Sequence, residues 1–160
     1  MAGDCRVARG EDPTSDHDAA AADLERAIEL APANVDALFR RASLGLRRGL
    51  WDDRHGRDPR PRFAAAEADL DRVVELRPDM VVAWSERGRL RGEGAVHADR
   101  RGEDPRAELA AAVADLDRAI KLLPTDRAVW LSRASVLSIL ASCRIRRGEA
   151  AEEVFRLALA

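Results

Sequence analysis

The sequence predicts an all-α fold in which antiparallel helix pairs stack as an α-solenoid, and three observations support this prediction. One segment of eleven residues recurs three times, as ADLERAIELAP, ADLDRVVELRP and ADLDRAIKLLP. Apolar residues recur in these segments with the period of about 3.6 residues that an α-helix has. The composition favours helix, and with no Tyr, 3 Trp and 3 Phe it offers few aromatic residues for the core of a β-rich protein.

The recurrence has a fixed step along the whole chain. The closing prolines of the three segments, Pro32, Pro78 and Pro124, are 46 residues apart. The same step connects three arginines, Arg41, Arg87 and Arg133. A period between 20 and 50 residues is typical of solenoids, because each unit buries its apolar face only against a neighbouring unit. We therefore predict three 46-residue repeats with partial units at both ends.

The second helix of each repeat, the second-type helix, has clear start and stop signals. Asp12, Asp58 and Asp104 stand where an N-cap residue is expected, and a proline follows each of them at the first helical position. Each helix ends at or before the closing proline, because the residue before a proline disfavours helical geometry. Second-type helices are predicted at about 13–31, 59–77 and 105–123.

The first helix of each repeat, the first-type helix, carries a large residue followed four positions later by a very small one. The large residues are Leu38, Trp84 and Trp130, and the small ones are Ala42, Gly88 and Ala134. This pair places a protruding side chain and a notch on one helix face, which allows a neighbouring helix to approach closely. First-type helices are predicted at about 34–54, 80–100 and 126–147.

These features together resemble the tetratricopeptide repeat. That family has a Trp, a Gly or Ala four residues on, then a small, a large and a small residue in the second helix, and a closing Pro. The corresponding residues are Trp84, Gly88, Ala112, Leu116, Ala119 and Pro124. The resemblance covers the chain beyond residue 13, and it implies a right-handed solenoid whose first-type helices line a concave groove.

The repeat is longer than the family's usual repeat of about 34 residues. The additional residues lie between the Gly/Ala position and the capping aspartate, and they leave two interpretations open. Residues 49–58 and 92–104 are either long loops or parts of longer helices. The third copy contains neither Gly nor Pro from 128 to 147, which favours longer helices. Gly49, Gly92 and Gly94 favour loops, since each costs about 1 kcal/mol in a helix interior.

The predicted organisation is a flexible segment at residues 1–12 and a single helical repeat domain at 13–160, which ends in a short helical stub at 150–160. The two cysteines, Cys5 and Cys143, form no disulfide framework, and no run approaches the roughly 20 apolar residues that cross a membrane. We expect a cytoplasmic protein that does not bind membranes. A net charge of −2 and the scarcity of aromatic residues argue against binding to nucleic acid.

No catalytic, cofactor or metal site is expected, and we predict that the protein is not an enzyme. The three histidines, His17, His55 and His97, have no nucleophile or metal-ligand spacing around them. His97 and Cys143 occupy equivalent positions in adjacent repeats, but helices pack about 8–10 Å apart. That distance and the absence of further ligands disfavour a zinc site, which needs about four ligands around one centre.

The family resemblance instead implies a protein or peptide partner that binds in the groove. Residues that follow the Trp position on the first-type helices would line it: Phe39, Ser43, Arg47, Ser85, Arg89, Leu131, Ser135 and Ile139. The expected function is that of a non-catalytic protein–protein interaction scaffold. The alternative is a self-assembling structural or oligomerisation unit, which would associate through an apolar C-terminal surface formed by Val136, Ile139, Leu140 and Phe155.

Overall fold

A computed structural model describes residues 14–148, with side chains from residue 17 onward. Within this range the fold is all-helical and contains no strand, which confirms the predicted all-α class. The helices are α1 (Thr14–Leu30), α2 (Val35–Arg54), α3 (Arg60–Leu76), α4 (Val81–Arg100), α5 (Arg106–Leu122) and α6 (Arg127–Arg146). The predictions for residues 1–12 and for the stub at 150–160 lie outside the described residues.

Helices of 17 and 20 residues alternate along the described chain. The second-type helices α1, α3 and α5 begin at positions 46 residues apart, and so do the first-type helices α2, α4 and α6. Residues 49–54 belong to α2 and residues 92–100 belong to α4, so the connections to the next helices span only 55–59 and 101–105. Of the two interpretations of the long repeat, the structure therefore shows longer helices.

Glycine ends each first-type helix. Gly56, Gly102 and Gly148 have φ angles of 71°, 79° and 71°, in the left-handed region that side chains with a Cβ rarely adopt. The three glycines are spaced by the same 46 residues and follow the last helical turn. This geometry is the common C-terminal stop of an α-helix.

The chain divides after Pro78 into two compact units. In the first unit, α2 packs against both α1 and α3, and its buried side chains include Ala42 and Leu46. Gly45 and Gly49 face α3, since a Cβ built on them would contact Ala66 and Phe63 respectively. The prediction of one continuous domain over residues 13–160 stays a prediction.

In the second unit, α5 packs against α4 and α6, and α4 also contacts α6. All three helices contribute to one apolar cluster, which includes Ala95, Leu109, Leu116, Val129 and Leu137. The first-type helices α4 and α6 therefore lie side by side in this unit, as a groove between them requires.

One described helix, α6, is long and apolar enough to cross a membrane by length and composition. A core helix of a folded domain passes the same test, and α6 supplies Val129, Val136 and Leu137 to the core of the second unit. The composition of α6 is therefore weak evidence for insertion into a membrane.

Candidate partner-binding groove

A cavity of about 200 Å³ opens between α4 and α6. We call it the α4–α6 groove. From α4 it is lined by Arg89, Gly92, Glu93 and Val96, and from α6 by Ser132, Ser135, Val136 and Ile139. The α6 wall combines two serines with two aliphatic residues, and the charged side chains come from α4.

The close approach of α4 and α6 depends on a glycine. Gly92 is buried in α4, and a Cβ placed on it would lie 3.2 Å from Val136 Cγ2. That distance is already tight for two carbon atoms in a packed interior. A larger residue at position 92 would therefore push α6 away and change the shape of the groove.

An ion pair fixes the charge at the rim of the groove. The Arg89 guanidinium donates hydrogen bonds to Glu86, with its Nη2 at 2.9 Å from both carboxylate oxygens and its Nε at 3.2 Å from Oε2. The Arg89 side chain remains 44% exposed, whereas Glu86 is 16% exposed. Glu86 thus orients a guanidinium that solvent, or an acidic group of a partner, can still reach.

The serines of the α6 wall satisfy their own hydroxyl donors. Ser132 donates to the carbonyl of Ala128 and Ser135 to that of Leu131, each at 3.0 Å. Their hydroxyl oxygens can still accept a hydrogen bond from a partner. These small residues keep the wall narrow and mildly polar.

The structure brings together three of the five residues predicted to line the groove on α4 and α6: Arg89, Ser135 and Ile139. Ser85 is half-buried one turn before Arg89 and does not line the cavity. Leu131 is 71% exposed and lies in a separate shallow depression with Trp130, at the start of α6.

The groove has five further lining residues that were not predicted from the sequence as part of it: Gly92, Glu93, Val96, Ser132 and Val136. Glu93 and Val96 could have been found, since they continue the series of Ser85 and Arg89 at helical spacing. Gly92 and Val136 line the groove only because the two helices approach each other closely, and no local spacing reveals that distance.

The three predicted residues of the first unit share one face of α2, four positions apart. Phe39 and Ser43 are half-buried, and Arg47 is exposed. The first unit contains a single first-type helix among its described residues, so these side chains have no second wall from this unit.

A second cavity, of about 680 Å³, lies between α1, α2 and α3 of the first unit, and charged residues dominate it. Arg41 binds Asp69 through two hydrogen bonds of 2.7 Å, and Arg62 binds the buried Asp52 at 2.5 Å. These charges are satisfied within the fold, so we interpret the cavity wall as an ion-pair network that connects helices.

Among residues 17–148, no group of three or more His, Cys, Asp or Glu side chains could hold a metal ion. His55 stacks on Trp51 with ring centroids 3.8 Å apart, and its Nδ1 lies 2.8 Å from the Trp51 carbonyl oxygen. Cys143 is buried in the second unit, and burial raises the pKa of its thiol.

The residues predicted for self-association are mostly not available. Val136 and Leu140 are buried in the core of the second unit, and Ile139 is half-buried in the groove. Phe155 lies outside the described residues. The exposed large apolar residues of α6 are instead Trp130, Leu131 and Ile145.

Neither the protein-family models nor the curated proteins with which we compared the sequence give a match.

Proposed function

We propose that this chain is a non-catalytic protein–protein interaction module that binds a peptide or a partner helix in the α4–α6 groove. The observation that carries the proposal is the convergence of Arg89, Ser135 and Ile139 on one cavity between two neighbouring first-type helices. The resemblance to the tetratricopeptide repeat implies the same three residues as part of the groove lining. The proposal includes a right-handed solenoid of three repeats and a cytoplasmic location.

The size and lining of the groove favour a peptide side chain over a small organic ligand. A cavity of about 200 Å³ is smaller than the 300–1,000 Å³ typical of sites for drug-sized molecules. It suits one apolar side chain, which Val96, Val136 and Ile139 would contact. Arg89 at the rim would then attract an acidic group of the same partner, in competition with Glu86.

A selection of displayed random peptides against the 160-residue protein tests this proposal. We expect the selected peptides to share an aliphatic or aromatic anchor and an acidic residue within a few positions of it. Calorimetry should then show that Arg89→Glu and Ile139→Asp each weaken peptide binding at least about tenfold, because one reverses the rim charge and the other places a charge in the apolar wall.

The matched control is Arg72→Glu, since Arg72 is an exposed arginine on α3 that pairs with Glu75, three residues away, as Arg89 pairs with Glu86. Peptide affinity should be unchanged in this variant. If the selected peptides bind all three variants as tightly as the unchanged protein, the groove assignment is wrong.

A further inference from the structure

Two arginines line the cavity of about 680 Å³ in the first unit, here called the first-unit cavity, and both carry unused hydrogen-bond donors. Within the described chain, Arg57 contacts a carboxylate only at Asp52, through an ion pair of 3.5 Å, and its side chain is 52% exposed. Arg62 donates from Nε to Asp52, while its two terminal amino groups form no hydrogen bond with a described residue. Both guanidinium groups can therefore donate to a further acceptor in the cavity.

The charge balance at this end of the cavity is positive. Arg57 and Arg62 share the single carboxylate of Asp52, so two positive charges face one negative charge. The other charged residues of the lining have their own partners or lie beside another arginine. The pairs are Arg41–Asp69, Arg48–Asp18 and Arg60–Asp58, and Glu25 interacts with the charge of Arg41. An anion is therefore attracted to the end of the cavity where Arg57 and Arg62 lie.

The second unit shows that the fold does not need this set of charges. Helices α2 and α4 are equally long, and each is followed by a connection of five residues that contains a glycine at positive φ. In the second unit, 46 residues further along, Ala98, Glu103 and Glu108 stand in place of Asp52, Arg57 and Arg62. The same helix ends and the same connection thus form without the two arginines.

Other ion pairs of the first unit do recur in the second. The contact between Arg60 and Asp58 recurs between Arg106 and Asp104, and the pair Arg41–Asp69 recurs as Arg87–Asp115. Pairs that hold the repeat together are therefore present in both units. The shared contact of Arg57 and Arg62 with Asp52 belongs to the first unit alone, which indicates a role other than folding.

We propose that the first-unit cavity binds a small organic phosphate, whose phosphate group accepts hydrogen bonds from Arg57 and Arg62. Both guanidinium groups contact the same carboxylate, so they lie close enough together for one phosphate to reach both. The three terminal oxygens of a phosphate can serve two guanidinium groups, whereas the two oxygens of a carboxylate match a single one.

The size of the cavity indicates that the ligand is larger than a free phosphate ion. A volume of about 680 Å³ lies within the range of about 300–1,000 Å³ that is typical of sites for small organic molecules. Apolar residues from all three helices would contact the organic part of the ligand: Ala21, Leu44, Pro61, Ala65 and Ala66. All lining residues belong to the first unit, so this site is independent of the peptide groove proposed for the second unit.

Isothermal titration calorimetry of the 160-residue protein in a phosphate-free buffer tests the proposal, with phenyl phosphate, inorganic phosphate and benzoate as probes. Phenyl phosphate should bind with a dissociation constant of about 1 mM or below. Inorganic phosphate lacks the organic part and benzoate lacks the phosphate, so each should bind at least about tenfold more weakly. Arg57→Gln and Arg62→Gln should each weaken the binding of phenyl phosphate at least about tenfold, because each removes charged donors.

The matched control is Arg60→Gln. Arg60 is 52% exposed, as Arg57 is, and it lies between the two proposed ligand-binding arginines in sequence, but it binds Asp58 and does not line the cavity. Its replacement removes the same charge and should leave the affinity for phenyl phosphate unchanged. Arg57→Gln breaks only an ion pair of 3.5 Å, so this variant tests the proposal even if loss of the bond between Arg62 and Asp52 unfolds the other one.

Four results would overturn the proposal. Phenyl phosphate that shows no binding at about 10 mM excludes the site. A loss of affinity in Arg60→Gln as large as in Arg57→Gln would mean that only the overall charge matters. Benzoate that binds as tightly as phenyl phosphate rules out selection of a phosphate group, and inorganic phosphate that binds as tightly rules out an organic ligand.

Discussion

Arg87 and Asp115 form a two-pronged ion pair that joins α4 to α5. The arginine donates from Nε to Oδ2 at 2.9 Å and from Nη2 to Oδ1 at 2.6 Å, and both side chains are nearly buried, at 12% and 4% exposure. The same guanidinium lies 4.7 Å from the centre of the Trp84 ring. Arg91 also binds Asp115, at 2.8 Å. One carboxylate thus balances two arginines at the contact between the helices.

Removal of this carboxylate should strongly destabilise the second unit. Asp115→Ala leaves Arg87 and Arg91 without that partner in a poorly hydrated site, and the loss of one member of a buried pair costs about 3–5 kcal/mol. Asp69→Ala should cost less, because its partner Arg41 is 33% exposed and water can replace the carboxylate. Urea denaturation followed by far-ultraviolet circular dichroism measures both changes.

Glu75→Ala is the control for this comparison. Glu75 pairs with Arg72 three residues away, and both side chains are more than half exposed. The free energy of unfolding should fall by no more than about 0.5 kcal/mol, as is usual for exposed pairs on a helix. If Asp115→Ala costs no more than this control, the buried pair does not stabilise the fold as we infer.

The close packing of α4 on α5 predicts that Gly88→Ala destabilises the protein. A Cβ at this position would lie 2.8 Å from Leu116 Cγ and 2.9 Å from the carbonyl oxygen of Ala112. Neither atom is at the free end of a flexible side chain, so the helices must separate. Overpacking costs about 1–3 kcal/mol. Replacing a helical glycine with alanine gains about 1 kcal/mol in helix propensity. We expect the overpacking cost to be the larger of the two, so that the free energy of unfolding falls. Thermal denaturation should therefore show a lower melting temperature.

The reciprocal change at the equivalent position of the first unit is Ala42→Gly. Ala42 is fully buried, so this variant loses packing and also places a glycine in a helix interior. We expect a loss of at least about 1 kcal/mol from the helix propensity alone. A stabilised Gly88→Ala variant would show that α4 and α5 have room for a methyl group at position 88, which the contacts in the structure exclude.

Helix positions were predictable from the sequence because their signals are local. A proline restricts the residues around it, so Pro32, Pro78 and Pro124 mark where the second-type helices end. The observed helices begin and end within two residues of the predicted ranges. Side-chain partners were not predictable in the same way. Asp69 has Arg72 three residues away and Arg41 on the adjoining helix as candidate partners, and local spacing leaves both open.

The structure shows that Asp69 binds Arg41, whereas Arg72 binds Glu75. This choice depends on the distance between α2 and α3, which the sequence does not state. The prediction that Val136 and Leu140 are exposed failed for a related reason. Apolar residues surround most of the circumference of α6, so the period alone does not select the face that packs against α5.

The N-cap of α2 should contribute measurably to stability. The Asn34 side chain accepts a hydrogen bond from the Ala37 N–H at 3.1 Å, and its backbone is extended as an N-cap requires. Asn34→Ala should lower the free energy of unfolding by about 1 kcal/mol, and Asn34→Gly by only a few tenths. Urea denaturation of the two variants measures the difference. Equal stability of the alanine and glycine variants would contradict a capping role.

The buried thiol of Cys143 should react slowly in the folded protein. Burial, and then the nearby negative charge of Asp99, raise the pKa of this thiol, although Arg146 lies close enough to donate to Sγ at 3.3 Å and acts in the opposite direction. At pH 8 the thiolate, which is the reactive form, is therefore scarcer than in the unfolded chain. In a Cys5→Ser variant, where Cys143 is the sole cysteine, a disulfide reagent should react at least about tenfold faster in urea than in buffer.

The same shift predicts how stability changes in alkaline solution. A raised pKa means that the folded state favours the neutral thiol, so this contribution is present below the ordinary thiol pKa and is lost as the pH rises through the raised value. Cys143→Ala removes the titrating group and should make the decline in stability above about pH 9 shallower than in the Cys5→Ser variant.

Equal thiol-labelling rates with and without urea would mean that Cys143 is accessible in the folded protein. The apolar contact that buries it in the second unit would then have to open frequently in the native state.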